Sequence, residues 1–252
     1  VEEIADLFKG SDEVVDFQPF GELRFPFHSM GNLNSINLFE IDELMIFSFY
    51  WQNRFLYKKV LDIGANIGLH SVLLGKCGYD VSSFEPDDTH FKLLEHNLSI
   101  NNISNVKAYN VAISDRDGES EFVTVLGNTM SSHLSGSKPN PYGELKRNMV
   151  QVRDIRHIIK GINFMKLDIE AHEKDVIPVT TREDWENMDG MISIHDENNA
   201  KVLFEHFEKL GLNQFSQKIN WNKAKSIEDI PFTHLDGTLF VTMKDKMPWG
   251  TI

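Results

Sequence analysis

An acid and two glycines gather where an apolar run gives way to a helical pattern. In VLDIGANIGLHS, residues 60–71, Asp62 is followed by Gly64 and Gly68, with Ala65 and Asn66 between them. Glycine lets the backbone approach a ligand closely, and the helix that follows offers free N–H groups. A second acid, Glu85, closes the next apolar run, seventeen residues past Gly68. Further on, Asp168, Glu170 and His172 follow a fourth apolar run, and His195 and Asp196 follow a fifth. Carboxylates and imidazoles at such places accept protons or ligate a cation.

These residues need strands to end on. KKVLDI, DVSSFEP, NVKAYNVAIS, INFMKLDI and GMISIH read as five strands. Between them GLHSVLLGKCG and DDTHFKLLEHNLSINN read as helices, the second with Phe91, Leu94 and Leu98 on one face. GESEFVTVL alternates like a hairpin strand, and VRDIRHIIK reads as a short helix. NAKVLFEHFEKLG carries Ala200, Leu203, Phe207 and Leu210 on one face and stops at Gly211. Two last strands, LNQFSQ and TLFVTMK, lie too close together for a crossover helix and are expected to pair antiparallel. The rhythm predicts an α/β fold with a doubly wound, mostly parallel sheet over 58–252. Residues 1–57 lack that rhythm and read as an N-terminal extension. Its aromatic helix, NLFEIDELMIFSFYWQNRF, starts near Asn34 or Ser35 and is expected to pack on the sheet, with a lid as the second reading.

In such sheets ligands sit at the carboxyl ends of the strands. A nicotinamide cofactor fits poorly: the dinucleotide turn needs G-x-G-x-x-G, and Asn66 stands where the middle glycine should be. No P-loop occurs either. A strand-terminal carboxylate, Glu85, suits ribose hydroxyls. Ribose recognition without a pyrophosphate cradle points to S-adenosylmethionine.

Composition sets outer limits. The chain has 252 residues, 41% hydrophobic and 25% charged, which suits one well-cored domain. The net charge of −13 argues against nucleic acid as the main partner. No apolar run is long enough for a membrane span. The lone Cys77 excludes an internal disulfide and fits a reducing, cytoplasmic setting. The chain begins at Val1 without a Met, which leaves room for sequence upstream.

VLDIGANIG, FEPDDTHFKLLEHNLSINNISNV, VAISDRDG and FMKLDIEAHEKDVI, in this order, resemble the FkbM-type class I methyltransferases. The resemblance implies a Rossmann-like, seven-stranded sheet with one antiparallel strand. It implies S-adenosylmethionine-dependent O-methylation, typically of a hydroxyl on a sugar or a polyketide product. It also implies roles: the Asp62–Gly68 turn against the methionine part, Glu85 on the ribose, Pro86, Ala112 and Ile113 at the adenine, and Asp168 beside the reacting centre. The chain departs from the family's DVEGAE, reading DIEAHE, with Ala171 for glycine and His172 for a small residue; Ser193 replaces a frequent glutamate.

Methyl transfer to a hydroxyl requires alignment and removal of a proton. His195 is the first choice of base, since an unperturbed imidazole titrates at about 6.5. Asp168 stands beside it, either at the reacting centre or as a helix N-cap. A second mechanism has a divalent ion, magnesium or manganese, on Asp168, His195 and Asp196. His28, His70, His133 and His234 read as packing or surface residues, with His70 able to touch the cofactor carboxylate. The loop NTMSSHLSGSKPNPYG reads as a cover over a glycan or small-molecule hydroxyl acceptor, with Tyr142 as a stacking surface. An oxidoreductase or epimerase, and a donor-binding module without turnover, are the competing functions.

Overall fold

The structure is a computed structural model, and it describes residues 14–249 apart from 139, 142, 234 and 235. His234 and Tyr142 therefore lie outside the described residues. Two antiparallel two-residue ladders open the chain, β1 (Val15–Asp16) with β2 (Glu22–Leu23) and β3 (Ser29–Met30) with β4 (Leu33–Asn34). The aromatic segment then forms two helices: a 3-10 turn, Ser35–Phe39, and an α-helix, Ile41–Gln52. Asn34 caps the first turn, accepting from Ile36 N while Asn37 accepts from Asn34 N. Phe47, Phe49 and Tyr50 are buried, and the Phe49 ring lies 5.4 Å from Phe240 and 5.7 Å from Phe164, so the stripe packs on the sheet.

The main sheet contains β5 (Lys59–Ile63), β6 (Asp80–Phe84), β7 (Val106–Tyr109), β12 (Phe164–Leu167), β13 (Asp189–Ser193), β14 (Asn213–Ser216), β15 (Asn222–Lys223) and β16 (Thr238–Thr242). Their order is β15-β14-β16-β13-β12-β5-β6-β7. From β7 to β13 every pairing is parallel, and β16 inserts antiparallel between β13 and β14. Leaving aside the two-residue edge β15, this is a seven-stranded sheet with one antiparallel strand, the arrangement that the sequence resemblance implies. Burial dictates it: β5, β12 and β16 are apolar with nearly every residue buried, as strands covered on both faces must be. The helix Glu197–Leu210 buries Ala200, Leu203 and Phe207 and ends at Gly211, at φ 69°. No helix among the described residues is long and apolar enough to cross a membrane.

The middle of the chain differs from its sequence reading. The expected single strand 105–114 breaks at Asn110, whose side-chain amide donates to the carbonyls of Glu85 and Pro86. Only β7 stays in the main sheet. β8 (Ala112–Ser114) joins a second sheet with β9 (Gly118–Val125), β10 (His133–Leu134) and β11 (Leu145–Asp154), in the order β10-β9-β11-β8. The expected helix 152–160 is mostly strand β11, leaving one turn, Ile155–Ile158, capped by Asp154. Most of β11 is exposed, so its sequence carries almost no apolar alternation to announce a strand. β9 and β11 pair from Leu145↔Val125 to Val152↔Gly118, and the arm they form stands over the carboxyl ends of β5, β6 and β12.

Candidate active site

The turn after β5 is shaped by contact with its neighbours. Gly64 has φ 78°, and a Cβ there would sit 1.7 Å from the Asp168 carbonyl oxygen. Gly64 N and Ala65 N both donate to Phe84 O, tying the turn to β6. Gly68, at φ 91°, instead makes room for Leu94 of the helix Asp88–Ile100, where a Cβ would approach Cδ1 to 2.5 Å. Asp62 is fully buried below the turn, with Ser71 Oγ 2.6 Å from its Oδ2. Neither Asp62 nor Gly68 lines the cleft; both shape the turn that does.

Above the turn lies a cleft of about 930 Å³, open mouth included. Gly64, Ala65, Asn66, His70, Glu85, Pro86, Ala112, Ile113 and Asp168 all line it. Glu85 is buried at the end of β6. Its Oε2 accepts from Asn66 N and its Oε1 from Asp87 N, each at 2.8 Å. A carboxylate has about four acceptor positions, so about two stay open to a ligand. Burial pushes the Glu85 carboxyl up to about 7, against the pull of those two N–H groups.

Across the cleft stands a cluster that the sequence predicted only in part. Asp168 Oδ1 lies 3.0 Å from His195 Nε2, which brings the two expected catalytic residues together. His195 itself does not line the cleft; it backs Asp168. Burial works against its charge, but Glu170, Glu173 and Asp168 surround the ring and raise its pKa well above the ordinary value. These carboxylates favour the protonated ring over the neutral one that a free base needs. Asp168 is held well below the usual carboxylate range: burial opposes this, and Lys166 and His195 outweigh it.

The expected metal trio does not assemble. Asp196 turns away and caps the helix Glu197–Leu210, accepting from Asn199 N at 2.7 Å. Glu170 takes its place: Asp168, Glu170 and His195 each offer an atom within 4.8 Å of the others. These carboxylates already face the chain's own cations, Lys166 beside Asp168, Lys138 on Glu170 and His195 between them. Their charge is met without a divalent ion.

Three cleft residues escaped the sequence reading of the site. Lys166 is buried in β12, and its Nζ donates to Gly64 O at 2.9 Å while lying 3.7 Å from Asp62 and 3.6 Å from Asp168. A lysine inside the apolar strand FMKL was the available signal, since a buried ammonium needs carboxylates. Glu43 arrives from the helix Ile41–Gln52. His133, on β10, is buried, lines the cleft, and has Nδ1 2.8 Å from Ser131 O. A carbonyl only accepts, so Nδ1 carries the hydrogen and, in the neutral ring, Nε2 keeps its lone pair. Burial lowers the His133 pKa, and Lys138, Arg147 and Lys174 lower it further against the Ser131 bond, so the ring is neutral at pH 7.

The departures in DIEAHE fasten the arm to this cluster. Glu170 and Ala171 both take left-handed backbone, φ 57° and 73°. His172 Nδ1 then lies 3.0 Å from Ser137 Oγ, and Lys174 Nζ donates to Ser137 O at 2.6 Å. On the other flank His90 Nε2 meets Thr129 Oγ1 at 2.9 Å.

Residues 62–221 match the family profile of the methyltransferase FkbM domain. The chain belongs to the FkbM methyltransferase family. Its activity is S-adenosylmethionine-dependent methyl transfer. "Methyltransferase 1" of Beauveria bassiana (strain ARSEF 2860) is 24% identical over 174 residues, 58% of this chain and 70% of that protein. Among solved structures, the precorrin-6y C5,15-methyltransferase of Geobacter metallireducens GS-15 is similar at a TM-score of 0.43 and 8% identity, over 78% of this chain and 85% of that one. An rRNA methylase of Streptococcus thermophilus is similar at a TM-score of 0.42 and 12% identity, over 81% and 97%. The cleft of this FkbM-family chain fits the methyl donor chemically. It joins a buried carboxylate with open acceptor positions, a glycine turn without a phosphate cradle, and an apolar wall at Phe84, Ala112 and Ile113.

Proposed function

We propose that this methyltransferase methylates a hydroxyl of a sugar, a glycan or a glycosylated small molecule. The observation that carries the reading is the arm wall of the cleft, where neutral His133 stands with the hydroxyls of Thr129 and Ser132. A hydroxyl is a poor nucleophile until its proton leaves. S-adenosylmethionine supplies an electrophilic methyl on sulfur. As the new O–CH₃ bond forms and the S–CH₃ bond breaks, His133 Nε2 takes the hydroxyl proton. The protonated His195 and Lys166 hold Asp168 in place as positioning residues. The rest of the wall argues against a polyanionic acceptor. Glu43, Glu85, Asp168 and Glu170 line the cleft, and Lys166, the one lining lysine among the described residues, is committed to Gly64 and two carboxylates.

On this reading Glu85 grips the ribose. Glu85→Ala is expected to weaken donor binding about tenfold to a hundredfold, the worth of roughly 1.5–3 kcal/mol in charge-assisted hydrogen bonds. Titration calorimetry with S-adenosylhomocysteine checks it, with thermal unfolding as the control for the lost turn contacts. Unchanged affinity would remove Glu85 from the donor site.

The acceptor class is tested by incubating the protein with radiolabelled donor and separate pools of glycan, small glycosides, RNA and protein, each with and without a chelator. Label in the glycan or glycoside pool, insensitive to chelation, is expected. Label confined to RNA or protein overturns the acceptor class. Loss of label on chelation restores the divalent-ion mechanism. Label in none favours a donor-binding module without turnover.

A further inference from the structure

The arm that carries His133 is met at its tip by the N-terminal segment, from outside the stretch that matches the family profile. β3 and β4 pair as a hairpin whose two-residue turn is Gly31–Asn32. Gly31 takes φ 83°, as glycine at the first position of such a turn does. The hairpin ladder ends on Met30 and Leu33, so the Asn32 N–H points away from it. It donates to Gly127 O at 2.8 Å, and Gly31 bridges to Asn128. The contact is backbone on backbone. A Cβ at Gly31 would overlap the Gly127 carbonyl and come to 2.8 Å from Asn128 N.

Both sides of this contact are anchored. Met30 is buried, and the buried Ser35 hydroxyl accepts from His28 N at 2.7 Å and donates to Pro26 O at 3.1 Å, which seats the hairpin on the core. On the arm, a short chain of bonds leads from the contact to His133. Ser131 N donates to Asn128 O at 3.0 Å, Asn128 Nδ2 donates to Ser131 Oγ at 3.0 Å, and Ser131 O accepts from His133 Nδ1 at 2.8 Å. The last bond aims the ring, so the arm tip sets where the Nε2 lone pair stands. A misplacement of about 1 Å at a reacting group can cost about a hundredfold in rate. Where Gly31 meets Gly127, no side chain can move to alter the separation.

We propose that Gly31 is a positioning residue: its hairpin latches the arm tip and so holds His133 over the glycine turn. The effect on rate rests on His133 as the proton acceptor; the latch itself does not. Donor binding at Gly64 and Glu85 lies on the main-sheet wall and does not pass through the contact.

Hydrogen exchange and turnover test the two steps separately. In the wild type the Asn32 amide is expected to exchange at least about tenfold more slowly than an unprotected amide, because exposing it requires the arm tip to lift. Exchange at the unprotected rate overturns the latch. Gly31→Ala drives a methyl into the Gly127 carbonyl. It is expected to speed exchange at Asn32 and Ser131 about tenfold and to lower turnover about tenfold to a hundredfold, with S-adenosylhomocysteine affinity within about twofold. Gly21→Ala is the control: Gly21, in the same segment, has φ 74°, but an added Cβ meets nothing within 4 Å. Its turnover and its Ser131 exchange are expected to stay within about twofold of the wild type. Equal losses in the two variants overturn the proposal, since backbone strain in the segment would then be the cause. Parallel loss of turnover and donor affinity in Gly31→Ala also overturns it, since the segment would then support the cleft as a whole. Asn32→Pro, at an exposed position, removes the N–H that reaches Gly127 and is expected to show the same split. Full turnover in that variant overturns the proposal even if Gly31→Ala does not fold. Full turnover in His133→Ala removes the base but leaves the exchange results standing, so the two readings fail separately.

Discussion

His133→Ala is expected to slow methyl transfer by about 10²–10⁴-fold while donor affinity stays within about twofold. The size follows from what is removed. The Ser131 carbonyl fixes the tautomer of His133, and burial with Lys138, Arg147 and Lys174 keeps the ring neutral. A neutral ring with a fixed lone pair accepts a proton at no cost in prior deprotonation. His195 is the poorer acceptor on the same grounds, because its carboxylate neighbours favour the protonated ring. The pH profile separates the two histidines. If His133 is the base, turnover falls on the acid side with a midpoint below about 6.5, the lowered side of the ordinary imidazole value. If His195 is the base, the acid limb lies above it. Rates are read on the labelled acceptor pool, at matched folding by circular dichroism. Full turnover in the variant removes His133 from the proton path.

Gly64→Ala is expected to lower stability by about 3–5 kcal/mol, near the upper end for single substitutions. Left-handed backbone alone costs an alanine about 1–2 kcal/mol. The rest comes from the Asp168 carbonyl, 1.7 Å from where the new methyl must go. That oxygen belongs to backbone at the end of β12, so no side-chain rotation relieves the overlap; β5 and β12 must part. Gly161→Ala is the internal control. Gly161 has φ 75°, but a methyl added there would meet nothing within 4 Å, so the change is expected to cost only about 1–2 kcal/mol. Urea midpoints of the two variants give the difference. Equal losses would mean that the strand ends yield to the methyl and that backbone conformation alone sets the cost.

The parallel half of the fold was legible because its strands are buried on both faces and its helices are amphipathic. β5, β6 and β12 advertise themselves as apolar runs, and their terminal residues Asp62, Glu85 and Asp168 could be read off in order. Where the strands are exposed the signal fails. β11 has one face to solvent and charged residues along much of its length, so its pairing with β9 is set by non-local contact rather than by period. That failure hid His133: a histidine in an apparent loop gives no sign that a sheet will hold it over the turn. His195 shows a different limit. Its place beside Asp168 followed from the strand order, but its protonation depends on Glu170 and Glu173 converging on it from another loop. Asp196 was misread because a helix cap and a metal ligand need the same carboxylate, and only the direction of the side chain separates them.

The second sheet is one uninterrupted excursion, entered at Ala112 after β7 and left at Asp154 before β12. It supplies Thr129, Ser132 and His133 to the cleft, while Gly64, Glu85 and Asp168 stay on the main sheet. The two walls are thus separately heritable. Substitution or exchange of the stretch between β9 and β11 alters what faces an incoming molecule and leaves the donor side untouched, so long as the fastenings at His90, Glu170 and His172 are retained. A lineage built on this plan can change customers while keeping its methyl donor, provided a proton acceptor stays at the place of His133.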